Sequence, residues 1–210
     1  MRFTKVLENI LGKRSNIGIL RVLVDKGLEL TGRQIAELSG MSHRACLLSL
    51  DALEGQGVVT RRSAGSANLY GLRKENFLIK EGVLPLFKLE KGLVDSMMAT
   101  ILDSLKKEMP MGRVRSIVLF GSIARGEGEP DSDIDLCVVV GSRRVKELIP
   151  SMLEPAREHI MKTFGNNLSL YTVTVRELSE RHAKKDPLIG EIIETGHVWG
   201  ERLEKLLKDE

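Results

Sequence analysis

The chain has 210 residues, 42% of them apolar and 29% charged, which suits a folded protein of one large domain or two small ones. No apolar run reaches eighteen residues, and MRFTKVLENILGKRSN holds no apolar segment followed by a cleavage site, so neither a membrane span nor a secretory signal is expected. Cys46 and Cys137 are too few for a disulfide framework or a zinc site, and the expected location is the cytoplasm. Charge is unevenly spread. Residues 1–82 carry 13 Lys and Arg against 8 Asp and Glu, and the remainder carries 19 against 21. A basic first segment joined to a slightly acidic second points to two units with different partners.

In the basic segment, Ile17, Leu20, Leu23 and Val24 form a helical stripe stopped by Gly27. Thr31 and Gln34 have the spacing of a capping box, opening a helix with Ile35, Ala36 and Leu38 that ends at Gly40. Ser42 caps a third helix reaching about Glu54. Val58–Arg62 and Asn68–Leu72 then read as two short strands around a small-residue turn. Three helices and a hairpin outline a winged helix-turn-helix domain. The resemblance to that family is carried by Ala36 and Gly40, by Leu50-Asp-Ala-Leu53, by Gly57-Val-Val-Thr-Arg-Arg62 and by Gly65 with Asn68-Leu-Tyr70. It implies a third helix in the major groove of duplex DNA, with His43 and Arg44 reaching bases or phosphates and Arg61 and Arg62 neutralising phosphates. Leu47 and Leu48 depart from this pattern. They fall toward the reading face, where apolar groups more often mark a protein contact, so a structural or dimerising winged domain stays open beside DNA binding.

From Leu86 to Leu105 apolar residues recur at helical spacing over about six turns, with Pro85 near the start and Met109-Pro110-Met111-Gly112 as a break. This reads as one connecting helix, with dimerisation as its second reading.

The chemistry is concentrated after Val114. Val114–Phe120 is a strand-like run that feeds into Gly121-Ser122-Ile-Ala-Arg125-Gly126, a polar loop ending at Ser132, and Asp133-Ile-Asp135-Leu-Cys-Val-Val-Val140. Side chains two apart on a strand share a face, with α-carbons roughly 6.6 Å apart. Two carboxylates that close repel unless a cation lies between them, and magnesium is commonly held by one or two carboxylates plus substrate phosphates. The glycine-serine step exposes amides and a hydroxyl suited to phosphate oxygens. A Walker loop is excluded because Glu127-Gly128 stands where Lys-Ser/Thr is required. An EF-hand is excluded because Leu136 and Ser142 replace its glycine and bidentate glutamate.

Gly121-Ser122, ten residues, then Asp133-x-Asp135 resembles the signature of polymerase-β-like minimal nucleotidyltransferases, and GSIARGEGEPDSDIDL is similar to the small prokaryotic members almost throughout. The resemblance implies an α+β fold with a mixed sheet and packed helices, and two Mg²⁺ ions on Asp133 and Asp135. It implies transfer of a nucleoside monophosphate from an NTP, ATP being the expected one, to a hydroxyl acceptor. Gly121 and Ser122 would hold the β- and γ-phosphates. Arg125 would add charge there or be an exposed helix arginine, and Ser132 would shape the turn before the carboxylates. Some members adenylylate a partner toxin, so a protein acceptor is implied, beside an antibiotic-like small molecule; a homodimer stays open through the second readings of the winged domain and the connecting helix.

Members of the family usually carry a third carboxylate on a later strand. After a helix over Arg144–Phe164 the candidate strand, Leu168–Thr174, has none, and Ser169 or Tyr171 stands in its place. Loss of such a group costs on the order of a thousandfold in rate. The expected organisation is a winged helix-turn-helix over 1–82, a connecting helix over 83–112 and a nucleotidyltransferase domain over 113–210. The alternative function is a nucleotide-sensing DNA-binding regulator with impaired catalysis. Residues 181–210 read as helices, with a stop at Gly196.

Overall fold

Thr31 and Gln34 close the capping box the sequence suggests, and Ser42 accepts from the Ala45 amide, so two helix starts are set by local hydrogen bonds. The structure, a computed structural model, describes residues 4–108 and 113–208. The chain divides into two units, the first ending at Leu93 and the second beginning at Val94.

The first unit runs α1 (Val6–Leu11), α2 (Arg14–Lys26), β1 (Leu30–Thr31), α3 (Gly32–Leu38), α4 (His43–Gly55), β2 (Val59–Ala64), β3 (Ala67–Leu72), a π-helical turn at Ile79–Val83 and α5 (Leu84–Lys91). Strands β2 and β3 pair antiparallel as the wing, and β1 adds to the far side of β3. Leu20, Leu23, Ile35, Cys46, Leu50 and Leu53 form its buried core. Leu47 packs against that core half-buried while Leu48 is 65% exposed, so only Leu48 of the two lies on the outer face of α4.

The connector is not one helix. Its stripe is split at Gly92 into α5 and α6 (Leu93–Glu108). The first piece belongs with the winged unit, because Phe87 is in its core and Glu90 and Lys91 pair with Arg21 and Asp25 of α2. The expected break at Met109–Gly112 lies outside the described residues.

The second unit continues with β4 (Val114–Phe120), α7 (Gly121–Ala124), β5 (Ile134–Val140), α8 (Arg143–Phe164), β6 (Leu168–Thr174), α9 (Val175–Ala183), α10 (Pro187–Thr195), β7 (His197–Gly200) and α11 (Leu203–Leu206). The sheet order is β6-β5-β4-β7, with β5 parallel to β6 and β4 antiparallel to both its neighbours. It is the mixed sheet expected. Because side chains alternate along a strand, Leu119, Leu136 and Val138 face α6 and α8, while Val118, Cys137 and Val173 face α9, α10 and α11. The end of the chain corrects the all-helical expectation. His197–Gly200 is an edge strand pairing Ile117 with Trp199, and among the described residues beyond it only Leu203–Leu206 is helical.

Candidate active site

Strand β4 ends where Gly121 turns the chain with φ +75°, a left-handed conformation that favours glycine. Phe120 is paired with Asp135 of β5, so this turn lies against the Asp135 side chain. A Cβ on Gly121 would collide with the Asp135 carboxylate. Both the backbone angle and the space therefore require glycine, and the closeness of backbone to carboxylate is built into the site. Ser122 follows in α7, its carbonyl accepting from the Glu127 amide at 2.9 Å.

The loop carrying the acids is held at both ends. The Ser132 hydroxyl accepts from the Glu129 amide at 2.8 Å across the turn before the acids. Asn166 donates to the Ser132 carbonyl at 2.9 Å, and the Ile134 amide donates to the Asn167 carbonyl at 2.8 Å. The two asparagines lead into β6 and were not singled out from sequence. Asp133 is exposed just ahead of β5, and Asp135 is half-buried on its second position. Burial, before anything else, pushes the Asp135 carboxyl above the ordinary carboxylate range. A hydrogen bond from Ser169 opposes that shift, repulsion from Asp133 and Glu191 adds to it, and Arg125 opposes it.

Register decides which residue stands beside Asp135. Ser169 is its partner on β6, whereas Tyr171 partners Cys137 and its hydroxyl is buried with no hydrogen-bond partner. Glu177 is engaged by Lys146 and Glu180 by Arg176. The acid that sequence reasoning missed is Glu191 on α10. Its Oε1 lies 2.5 Å from Arg125 Nη1, while Arg125 Nε donates to Glu127 at 2.9 Å. Gly121, Ser122, Arg125, Asp133, Asp135, Ser169 and Glu191 thus lie around one end of β4 and β5.

Among the described residues no group of three or more His, Cys, Asp or Glu is arranged to hold a metal ion. Asp133 and Asp135 supply two carboxylates, one of them desolvated and repelled by its neighbours. A hard divalent cation that completes its shell with phosphate oxygens and water fits this donor set. The thiols are inert by contrast: Cys46 and Cys137 are free and buried, and burial pushes Cys137 up to about 12.

In the winged unit His43 and Arg44 are exposed at the start of α4. The two wing arginines turn back onto the domain. Arg61 reaches Asp51 at 3.2 Å and Glu54 at 3.1 Å, and Arg62 reaches Glu29 at 2.5 Å, so a phosphate would have to displace these carboxylates. No helix among the described residues is long and apolar enough to cross a membrane.

No curated protein matches the sequence. Among solved structures the chain is similar to the homodimeric winged helix-turn-helix DNA-binding domain of a possible ArsR-family transcriptional regulator from Mycobacterium bovis. That likeness has 25% identity, 44% of this chain and 79% of that one covered, and a TM-score of 0.34. A crystal structure of a possible transcriptional regulatory protein fragment from the same organism is 25% identical over 45% of this chain and 99% of its own, with a TM-score of 0.32. A toxin-antitoxin structure with AMP-PNP is 19% identical over 53% and 81%, with a TM-score of 0.35. At such scores the fold rests on the chain's own elements. Residues 98–195, from within α6 to the end of α10, match the model of the nucleotidyltransferase domain family. The second unit thus contains a stretch that matches the nucleotidyltransferase domain family, and the first unit has the helices and hairpin of a winged helix-turn-helix.

Proposed function

We propose that the second unit transfers a nucleoside monophosphate from a nucleoside triphosphate, with ATP the first candidate, to a hydroxyl on a protein acceptor. The observation that carries the reading is the packing of the Asp135 carboxylate against the glycine-serine turn, within the stretch that matches the family. Asp133 and Asp135 would hold Mg²⁺, which when bound neutralises charge on the α-phosphate and leaving pyrophosphate and makes the acceptor hydroxyl more acidic. The Gly121 amide and Ser122 hydroxyl hold the β- and γ-phosphates, and the Arg125 guanidinium adds positive charge beside them. Ser169 fixes the Asp135 carboxylate through its hydrogen bond, and the Ser132 and Asn166 contacts keep Asp133 at the mouth. In the reaction the acceptor oxygen bonds to the α-phosphorus, the α–β bridge breaks, pyrophosphate leaves and the hydroxyl proton passes to solvent. Asp133 and Ser169 are exposed, so a macromolecular acceptor can reach this end of the sheet. In the winged unit, Arg44 and His43 on α4 contact duplex DNA.

A second reading is a nucleotide sensor without turnover that controls the winged domain. It is favoured by Ser169, a serine standing opposite Asp135. ATP labelled at the α-phosphate or at the γ-phosphate, incubated with Mg²⁺, the protein and cell extract, separates the two. The enzyme labels an acceptor from the α-position alone and loses the signal in Asp133→Ala and Asp135→Ala. Binding without labelled acceptor from either position leaves the sensor.

A further inference from the structure

Arg125 cannot serve a triphosphate and its present partners together. Its Nε–H is committed to Glu127 at 2.9 Å and its Nη1 to Glu191 at 2.5 Å. The two acids are not equivalent. Glu127 is two residues along the same loop and travels with Arg125. Glu191 comes from α10, which is capped by Asp186 accepting from the Leu188 and Ile189 amides and is nailed to the core by fully buried Ile189 and Ile192. Glu191 is therefore a fixed post, set by a segment far along the chain. Two carboxylates, Glu127 and Glu191, hold the guanidinium, and Asp133, Glu191 and Arg125 all act electrostatically on Asp135. A polyanion entering this end of the sheet meets an excess of negative charge and one arginine already taken.

We infer that Glu191 is a latch on Arg125: with no nucleotide bound it holds the guanidinium, and an incoming triphosphate exchanges its own oxygens for the Glu191 carboxylate. Glu191 thereby sets nucleotide affinity as a positioning residue, acting through Arg125. The inference rests on the nucleotide-site reading above. The pair is suited to exchange. Its side chains are 37% and 38% exposed, so water already screens the bond and little is lost on opening it. Phosphate oxygens offer the planar donor fork an equally good or better match, since arginine binds phosphate in a bidentate manner. Release of Arg125 also removes the cation that now neutralises Glu191, so metal ions arriving with the triphosphate make the exchange easier than free nucleotide would.

The test is calorimetric titration of the full chain with α,β-methylene-ATP and Mg²⁺, a nucleotide that cannot be cleaved at the α–β position. Glu191→Gln, which keeps the shape and removes the charge, is expected to bind about two- to fivefold tighter than wild type. Arg125→Ala is expected to bind about tenfold weaker or worse. In the Arg125→Ala background the Glu191→Gln gain disappears, because there is no guanidinium left to release. An equal gain in that background means that Glu191 merely repels the nucleotide and overturns the latch. Unchanged or weaker binding by Glu191→Gln overturns it as well, with the nucleotide site left standing if wild type binds. Failure of wild type and Asp135→Asn alike to bind removes the site itself and the latch with it.

Discussion

The contact between Gly121 and Asp135 gives the most exacting prediction. Gly121→Ala forces a side chain into φ +75°, which costs about 1–2 kcal/mol. The new Cβ would lie 3.1 Å from the Asp135 Cγ and 3.2 Å from its Cβ, and would overlap the carboxylate oxygen itself. The carboxylate must rotate off its rotamer, at about 1 kcal/mol, and give up the Ser169 hydrogen bond, worth about 1 kcal/mol more. The sum is about 3–4 kcal/mol, or a fall of about 12–16 °C in the melting midpoint of the second unit, read by scanning calorimetry. In an Asp135→Ala background the carboxylate is gone and the cost falls to the backbone part, about 1–2 kcal/mol. Equal costs in the two backgrounds, or a cost below about 1 kcal/mol in wild type, would refute the view that the turn is built around the carboxylate.

Three further outcomes follow from the same structure. Burial holds the Asp135 carboxyl above its ordinary value, so the native state keeps a proton that the unfolded state has lost, and stability falls as pH rises from the ordinary value through the raised one. Asp135→Asn should therefore melt about 1–3 °C above wild type at pH 7 without divalent metal, and a lower midpoint would contradict this. Glu177 behaves oppositely: its bond to Lys146, with the Thr174 amide, holds its carboxyl below the ordinary range. Its stabilisation is present above the unfolded value and is lost as pH falls through the folded one. Glu177→Gln, which can keep the α9 capping box, should cost about 0.5–1 kcal/mol at pH 7 after solvent screening, with the difference vanishing in acid denaturation near pH 3. In the winged unit Arg44 makes no ion pair among the described residues, whereas Arg61 is held by Asp51 and Glu54. Electrophoretic shifts of duplex DNA at low salt should weaken more in Arg44→Ala than in Arg61→Ala, and the reverse order would show that the wing arginine leaves its carboxylates on binding.

What sequence could reveal here was what neighbouring residues decide together. Thr31 with Gln34, Ser42 before α4 and the apolar, β-rich runs of Val114–Phe120 and Ile134–Val140 are local patterns, and each became the element expected. The spacing from Gly121-Ser122 to Asp133 and Asp135 is legible because a single strand pairing brings the two segments together. Other features depend on partners far along the chain. The β7 strand is four residues that follow Gly196 and end on Gly200, too short for a periodic signal, and exists because β4 has a free edge to pair with. Gly92 interrupts a stripe whose apolar spacing continues on both sides, so periodicity alone reads one helix. Ser169 and Tyr171 share a strand face, and only the register with β5 tells which stands at Asp135. Glu191 and Glu29 look like ordinary exposed acids until the fold sets them against Arg125 and Arg62.

The central claim is that Asp133 and Asp135 bind a divalent metal together with a triphosphate presented by the Gly121–Ser122 turn. Its most direct test is titration calorimetry of the intact protein with ATP, GTP, CTP and UTP, each with Mg²⁺ and again with chelator. Heat of binding for at least one nucleotide that requires Mg²⁺ and is lost in the Asp133→Asn, Asp135→Asn double variant is the expected result. Binding that ignores Mg²⁺ or survives in the double variant, or no binding of any of the four, would contradict the account.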